Sequence, residues 1–208
     1  DRLRWGRFVS RPVLVAVVTY NEGDKLQQLV SSFPAETDYD VVIVNDGSTQ
    51  PETLRLLAEL TQQDPRIKVI HLPENQGLST ARNAGLQAAC ADFAVLLDGD
   101  DLLEPTAVEK WLWFLFTRPQ LGFTRGYSVR FGERPHLWTR SFEQIETFLT
   151  KNQMEPTAMI RRAIWQQTGG FVEAMRWGLE DWEFWLKCAA HGYWGATVPE
   201  YLNWYRMR

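Results

Sequence analysis

Cysteine is nearly absent from this chain: Cys90 and Cys188 are the two in 208 residues. Both fall in segments that read as helical, with no metal-ligand spacing around them. That pattern excludes a disulfide framework and a thiol-held zinc site, and predicts two buried, reduced thiols of a cytosolic protein. Long apolar runs are missing too. VLVAVV (13–18) and WLWFLF (111–116) are the longest, far short of the roughly 18 residues a membrane span requires. No signal peptide is visible. The expectation is therefore no transmembrane segment in this chain, with membrane association left to regions outside it. A basic excess is also lacking: 22 Lys and Arg stand against 26 Asp and Glu, for a net charge of -4. This argues against a nucleic-acid partner, which calls for a basic face. Finally, neither GxGxxG nor GxxxxGK[ST] occurs. The first loop between strand and helix, TYNEGDK (19–25), has one glycine. The usual glycine cradles for dinucleotides and phosphates are thereby excluded, and a nucleotide bound here would need a cation for its phosphates.

What is present is a regular alternation. VLVAVV (13–18) is a continuous β-branched run suited to a strand covered on both faces. A helix follows within 21–33, with Leu26, Leu29, Val30 and Phe33 at helical spacing. VVIV (41–44) is a second strand, and PETLRLLAELTQQ (51–63) a helix opened by proline, its face set by Leu54, Leu57, Ala58 and Thr61 and widened by Leu56 and Leu60. IKVIHL (67–72) is a less apolar strand expected near an edge. A helix around 79–90 and a fourth strand, FAVLL (93–97), complete the half. This order implies parallel strands with right-handed crossovers. The second half is looser: helices are predicted within 104–116, 141–151 and 179–192, a short strand, a helix and a glycine stop within 157–171, and strands at 123–131, 136–139, 193–198 and 201–208. The expected organisation is one domain over 1–208, with a ligand-binding half over about 12–104, an elaborated half over about 105–208, and ends that look cut from a longer protein.

In parallel sheets ligands bind beyond the carboxyl ends of the strands. Three polar clusters fall there: Thr19-Tyr20-Asn21-Glu22, Asn45-Asp46-Gly47-Ser48 and Asp98-Gly99-Asp100-Asp101. In an extended segment Asp98 and Asp100 point to the same side. Two carboxylates around a small residue suit a hard divalent ion, Mg²⁺ or Mn²⁺, shared with substrate phosphates; the alternative is a solvated turn, with Asp101 pointing away. Asp46 is placed to accept hydrogen bonds from a ligand N–H, while Ser48 or Thr49 is a candidate cap for the following helix. Farther on, Asp181, Phe184, Trp185 and Cys188 share one helical face. A carboxylate pressed among aromatic rings acquires a raised pKa, fit for a general base, unless it merely caps the helix.

At these residues the sequence resembles the family 2 glycosyltransferases with a GT-A fold. The matching stretches run in order: VAVVTYNE (15–22), VVIVNDGST (41–49), NQGLSTARNAGLQAA (75–89), FAVLLDGDD (93–101), GGF (169–171) with LEDWEFWLKCAAHG (179–192), and NWYRMR (203–208). The resemblance implies an α/β fold with a mostly parallel, Rossmann-like sheet and an acceptor-side C-terminal elaboration. It implies transfer of a sugar from a nucleotide-diphosphate donor, a UDP-sugar foremost, to an acceptor hydroxyl with inversion. Residue by residue, Thr19 and Tyr20 would line the nucleoside pocket and Glu22 would lie near the ribose. Asp46 would bind the base and Arg82 would approach base or phosphates. Asp98 would lie by the ribose and the metal, Asp100 would be the principal metal ligand, and Asp181 would be the general base, with Glu180 beside it. Trp177 and Trp182, flanking that base, are candidates for stacking on an acceptor sugar, with Trp138 and Tyr127 as further flat surfaces. The acceptor would be a saccharide or lipid-linked molecule of cell-surface polysaccharide or glycoconjugate synthesis, and the setting cytoplasmic or peripheral to the inner face of the membrane. Two departures from the family pattern stand out. Asn45 occupies the place of a frequent first aspartate, and Arg208 that of a frequent histidine; an arginine cannot ligate a metal but can pair with phosphate.

Two other readings compete. A receiver-like phosphorylatable module also gathers aspartates at strand ends, but needs no tryptophan-rich second half. A nucleotide-sugar-binding domain without activity would keep the donor residues and lack turnover.

Overall fold

The computed structural model describes residues 12–208 apart from 36, 89, 141, 143 and 144. The segment 1–11 and part of the helix expected at 141–151 thus lie outside the described residues. In order, the elements are β1 (Val13–Thr19), α1 (Gly23–Ser32), β2 (Tyr39–Asn45), α2 (Pro51–Gln63), β3 (Ile67–His71), α3 (Leu78–Gln87), β4 (Phe93–Asp98), β5 (Leu102–Leu103) and α4 (Ala107–Phe116). They continue with β6 (Phe123–Gly132), β7 (His136–Trp138), α5 (Ile145–Thr150), β8 (Ala158–Arg161), α6 (Arg162–Thr168), α7 (Glu180–Ala190) and β9 (Gly195–Met207).

One sheet runs through both halves of the sequence, in the order β3-β2-β1-β4-β8-β6-β9-β5, with β7 beside β6. The alternating first half forms the parallel part: β3, β2, β1 and β4 run the same way, β1 lying in register between its neighbours with Val15 opposite Val41 and Val95. β3 lies at one end of this order, as its weaker apolar pattern predicts. Beyond β4 the directions mix. β8 is antiparallel to β4 and β6, while β9 runs parallel to β6 and antiparallel to β5. The two strands expected near the end are a single one, β9, because Pro199 interrupts the apolar run without ending the pairing with β6.

The continuous apolar runs are explained by burial on both faces. Val13, Val15 and Val17 of β1 pack with Leu26 and Leu29 of α1, Leu57 of α2 and Trp111 of α4. The intervening Leu14, Ala16 and Val18 face α3 through Ala81. Helix α3 sits close because it carries Gly85: a Cβ there would lie 3.2 Å from Ala16 Cβ and 3.3 Å from Val44 Cγ2. A second apolar cluster, with Phe123, Phe142, Phe184, Trp185 and Cys188, fills the other half, its rings meeting at edge and tilted angles.

Three details of the sequence reading need correction. The buried face of α2 is Thr53, Leu56, Leu57 and Leu60, with Leu54 exposed. The leucines at 56, 57 and 60 form the more apolar stripe, so they turn inward. Helix α3 ends at Gln87, leaving Cys90 exposed in the loop beyond it, whereas Cys188 is buried and its thiol is pushed up to about 12 by desolvation. The cap of α2 is neither Ser48 nor Thr49. The Asn21 side-chain oxygen accepts the backbone N–H groups of Thr49 and Gln50 from across the loop, at 2.9 and 3.0 Å.

Candidate active site

The carboxyl ends of β1, β2 and β4, together with the last residues of β9, enclose a cavity of about 630 Å³. That size suits a small organic ligand. Tyr20, Glu22, Asp46, Asp98, Gly99 and Asp100 line it, joined by Asn75, Gly77, Arg176, Tyr205, Arg206 and Arg208. Five of the residues singled out from sequence therefore meet at one cavity, although Tyr20 and Asp100 are separated by 80 positions in the chain.

Each is held by specific bonds. Asp46 is 2% exposed, and its two carboxylate oxygens accept the backbone N–H groups of Gln76 and Gly77 at 2.8 and 2.9 Å. It thus fastens the loop leading into α3 while lining the cavity. Its neighbour Asn45 closes the turn: Oδ1 accepts the Ser48 N–H at 3.0 Å, and Nδ2 lies 3.0 Å from His71 Nδ1. The amide at this position therefore has a local structural task. Gly47 is at φ +69°, and a Cβ on it would lie 2.3 Å from the Glu74 carbonyl carbon, so only glycine fits that turn. At Gly99 the reason is close approach alone: a Cβ would meet Val18 O at 2.9 Å and Thr19 Cβ at 3.0 Å. The glycine lets the acidic loop lie flat on the end of β1.

The acidic loop finds its positive partners in arginines. Asp98 accepts Arg82 Nη2 at 2.9 and 3.3 Å. Asp100 Oδ2 accepts Arg208 Nε at 2.9 Å and Nη2 at 2.5 Å, and Arg208 Nη2 also bonds Glu22. Glu22 in turn accepts Lys25 Nζ at 2.9 Å. Asp101 turns away, as expected. It is buried, and its Oδ1 accepts the Arg206 backbone N–H at 2.8 Å, hooking β9 onto the loop. Desolvation, reinforced by the Asp98 charge, holds the Asp101 carboxyl well above the ordinary range.

Arg82 is placed differently from expectation. It is 2% exposed, lies behind the cavity rather than in its lining, and spans two carboxylates: Nη2 to Asp98, and Nη1 to Glu180 at 2.6 Å. Burial opposes its charge, but the two carboxylates raise its pKa above the usual guanidinium value. Glu180 is thereby committed to an ion pair. Asp181, next to it in the first turn of α7, is not the helix cap; that position is Leu179, at φ 64°. Asp181 shares its buried face with Phe184, Trp185 and Cys188, as the spacing predicts. Its oxygens accept Asn152 Nδ2 at 3.3 and 3.4 Å, and Oδ1 accepts the Trp182 N–H at 2.7 Å. Burial raises the pKa of this carboxyl, and the nearby Arg82 charge restrains the rise.

Other expected contributors lie off the cavity. Thr19 is 1% exposed, with its hydroxyl unpartnered among the described residues, and does not line the cavity. Trp182 packs against the aromatic cluster and donates its indole N–H to Phe148 O at 2.9 Å, so its ring is committed to the fold. Trp177 is 99% exposed and free to stack. Trp138 has Arg130 over its ring at 3.6 Å and Arg140 at 4.9 Å, and Tyr127 packs on Tyr201 at 5.6 Å. Arg176, Arg206 and Tyr205 were not singled out from sequence. The aromatic and basic run at 203–208 was the available signal for the last two; Arg176 has none, since the Asn75 carbonyl it bonds at 2.8 Å lies 101 residues away.

Among the described residues no cluster of three or more His, Cys, Asp or Glu side chains is arranged to hold a metal by itself. Asp98 and Asp100 both line the cavity, and Asp100 Oδ1 carries no hydrogen bond from a described residue. Two hard carboxylate oxygens with room for ligand oxygens fit a Mg²⁺- or Mn²⁺-type ion, which commonly completes its shell from phosphates and water. No helix among the described residues is long and apolar enough to cross a membrane.

Comparison with known proteins agrees with this architecture. TarS of S. aureus in complex with UDP-GlcNAc superposes with a TM-score of 0.79 at 21% identity, over 94% of this chain and 58% of that one. The mannosyltransferase PcManGT from Pyrobaculum calidifontis in complex with GDP-Man and Mn²⁺ superposes with a TM-score of 0.70 at 18% identity, over 94% of this chain and 56% of that one. The chain thus spans somewhat over half the length of these solved structures. A putative teichuronic acid biosynthesis glycosyltransferase of Bacillus subtilis is 34% identical over 120 residues, 56% of this chain and 47% of that protein. The model of the glycosyl transferase family 2 matches residues 14–182, most of the chain, and the protein belongs to that family.

Proposed function

We propose that the chain is the catalytic domain of a metal-dependent, inverting glycosyltransferase that moves a sugar from a nucleotide-diphosphate donor to an acceptor hydroxyl. The observation that carries the reading is the meeting of Tyr20, Glu22, Asp46, Asp98 and Asp100 around one cavity at the carboxyl ends of parallel strands. Tyr20, 43% exposed, offers a ring for a nucleobase, and Asp46 retains lone pairs for a base N–H. Thr19 supports the wall from behind, against Gly99. Asp98 and Asp100 would hold Mn²⁺ or Mg²⁺; such an ion, when bound, would neutralise charge that develops on the departing diphosphate. The solved relative with GDP-Man and Mn²⁺ supports that assignment, and the one with UDP-GlcNAc supports a UDP-sugar donor.

Asp181 is the general base. Its buried carboxyl, steadied by Asn152, takes the acceptor proton as the acceptor oxygen attacks, so a single displacement inverts the anomeric carbon. Glu180 contributes by anchoring Arg82 rather than by proton transfer. Trp177 gives a stacking surface for a saccharide or lipid-linked acceptor, and the teichuronic acid relative supports a place in cell-surface polysaccharide synthesis. The test is thermal stabilisation by a panel of nucleotide sugars with and without Mn²⁺, followed by transfer assays. A Mn²⁺-dependent shift with a UDP-sugar that disappears in Asp100→Ala is expected. An unchanged UDP affinity in that variant would remove Asp100 from the site, and donor binding without any turnover would favour a binding domain.

A further inference from the structure

The Asp100 carboxylate already has a cation on it. Arg208, just after β9, lays Nε and Nη2 on Asp100 Oδ2 at 2.9 and 2.5 Å and reaches Glu22 with the same Nη2. The acids are largely covered, their side chains 13% and 11% exposed, while the Arg208 side chain is 59% exposed. The anchored partners are therefore the carboxylates, and the movable one is the guanidinium. A long side chain in solvent leaves such a pair at little cost. Arg82 is the opposite case: it is 2% exposed and locked between Asp98 and Glu180.

We propose that Arg208 is a displaceable internal counter-ion that makes metal and nucleotide binding depend on each other. This rests on the reading of Asp100 as a metal ligand. Without nucleotide, the guanidinium neutralises Asp100 and Glu22 and, from Oδ2, competes with a divalent ion for the charge of the same carboxylate. A nucleoside diphosphate in the cavity presents oxygens that Arg208, itself part of the cavity lining, can pair with in bidentate fashion. Asp100 is then released to the metal. Free metal thus binds poorly, and metal and diphosphate bind well together. By linkage each must raise the affinity of the other by the same factor.

The experiment measures Mn²⁺ binding by electron paramagnetic resonance and UDP binding by calorimetry, for the wild type, Arg208→Gln and Asp100→Asn. In Arg208→Gln, Mn²⁺ alone binds about 1.5- to fivefold more tightly, the range expected from losing one exposed competing pair. The enhancement of Mn²⁺ affinity by saturating UDP shrinks in the same variant. Arg208→Lys, which keeps a cation but not the fork, lies between. If Arg208→Gln binds Mn²⁺ no more tightly than wild type while Asp100→Asn abolishes Mn²⁺ binding, the counter-ion role is overturned and the metal site stands. If Asp100→Asn leaves Mn²⁺ binding intact, the metal assignment itself fails, and the inference with it.

Discussion

Replacing Arg82 by methionine tests the connection between the two halves of the site. Methionine keeps an unbranched apolar stem and removes the charged guanidinium. Glu180 and Asp98 then lose a partner held at 2.6 and 2.9 Å. Glu180, 8% exposed, is shielded from solvent, whereas Asp98, 20% exposed on the cavity, is more readily rehydrated. Breaking a buried pair from one side costs about 3–5 kcal/mol. With two carboxylates stranded and one rehydrated, the upper part of that range applies, roughly 4–5 kcal/mol. For a chain of this size that corresponds to a fall in Tm on the order of 10 °C. Urea denaturation of Arg82→Met, Glu180→Gln and the double variant supplies the cycle. The double variant should regain stability relative to Arg82→Met alone, because the stranded charge is gone. A loss below about 1 kcal/mol in Arg82→Met, or two single effects that simply add, would refute the bridging role.

Three further outcomes follow from other residues. Asp181→Asn should bind the donor with unchanged affinity and lose transfer, measured by calorimetry and product formation. Because burial raises the Asp181 pKa, its protonated form is the one the fold favours. Its stabilising contribution is complete below the ordinary carboxylate value and is lost as pH rises through the raised value, so Asp181→Asn should gain stability relative to wild type at neutral pH and show no gain in acid; thermal melts at several pH values check the sign. Gly99→Ala, forced to within 2.9 Å of Val18 O, should lower stability by about 1–3 kcal/mol and weaken nucleotide binding, as read from urea titration and calorimetry. Trp177→Ala should leave the urea midpoint within about 0.5 kcal/mol of wild type, since its side chain is free, and raise the acceptor KM.

The parallel half was legible because each strand there is buried on both faces and each helix on one, which writes unbroken runs and periodic stripes into the sequence. The convergence of Tyr20, Asp46 and Asp98 followed from that pattern alone, since strand ends of a parallel sheet share a rim. The second half was less legible for a physical reason. Its strands pair with partners far along the chain in mixed directions, and no local period records that β8 slips between β4 and β6. Nor does spacing reveal pairing. Arg82 reads as a residue facing a ligand, yet the carboxylate of Glu180, 98 positions later, claims it. Trp182 was credited with sugar stacking because it flanks Asp181, but adjacent helical residues lie about 100° apart, and its ring faces the aromatic cluster.

Strand β9 has a consequence for how the protein is made. Its hook to Asp101 through Arg206 closes a loop of 105 residues, and its contact with Asp100 through Arg208 one of 108. Closing such loops carries an entropic cost, though one that grows only slowly with their length, and topologies rich in such distant contacts fold slowly. The parallel half can reach its register while the cavity still lacks one wall. Competence to hold a ligand is therefore expected late in folding, and ligand added during refolding should report on the docking of β9 rather than on formation of the sheet it joins.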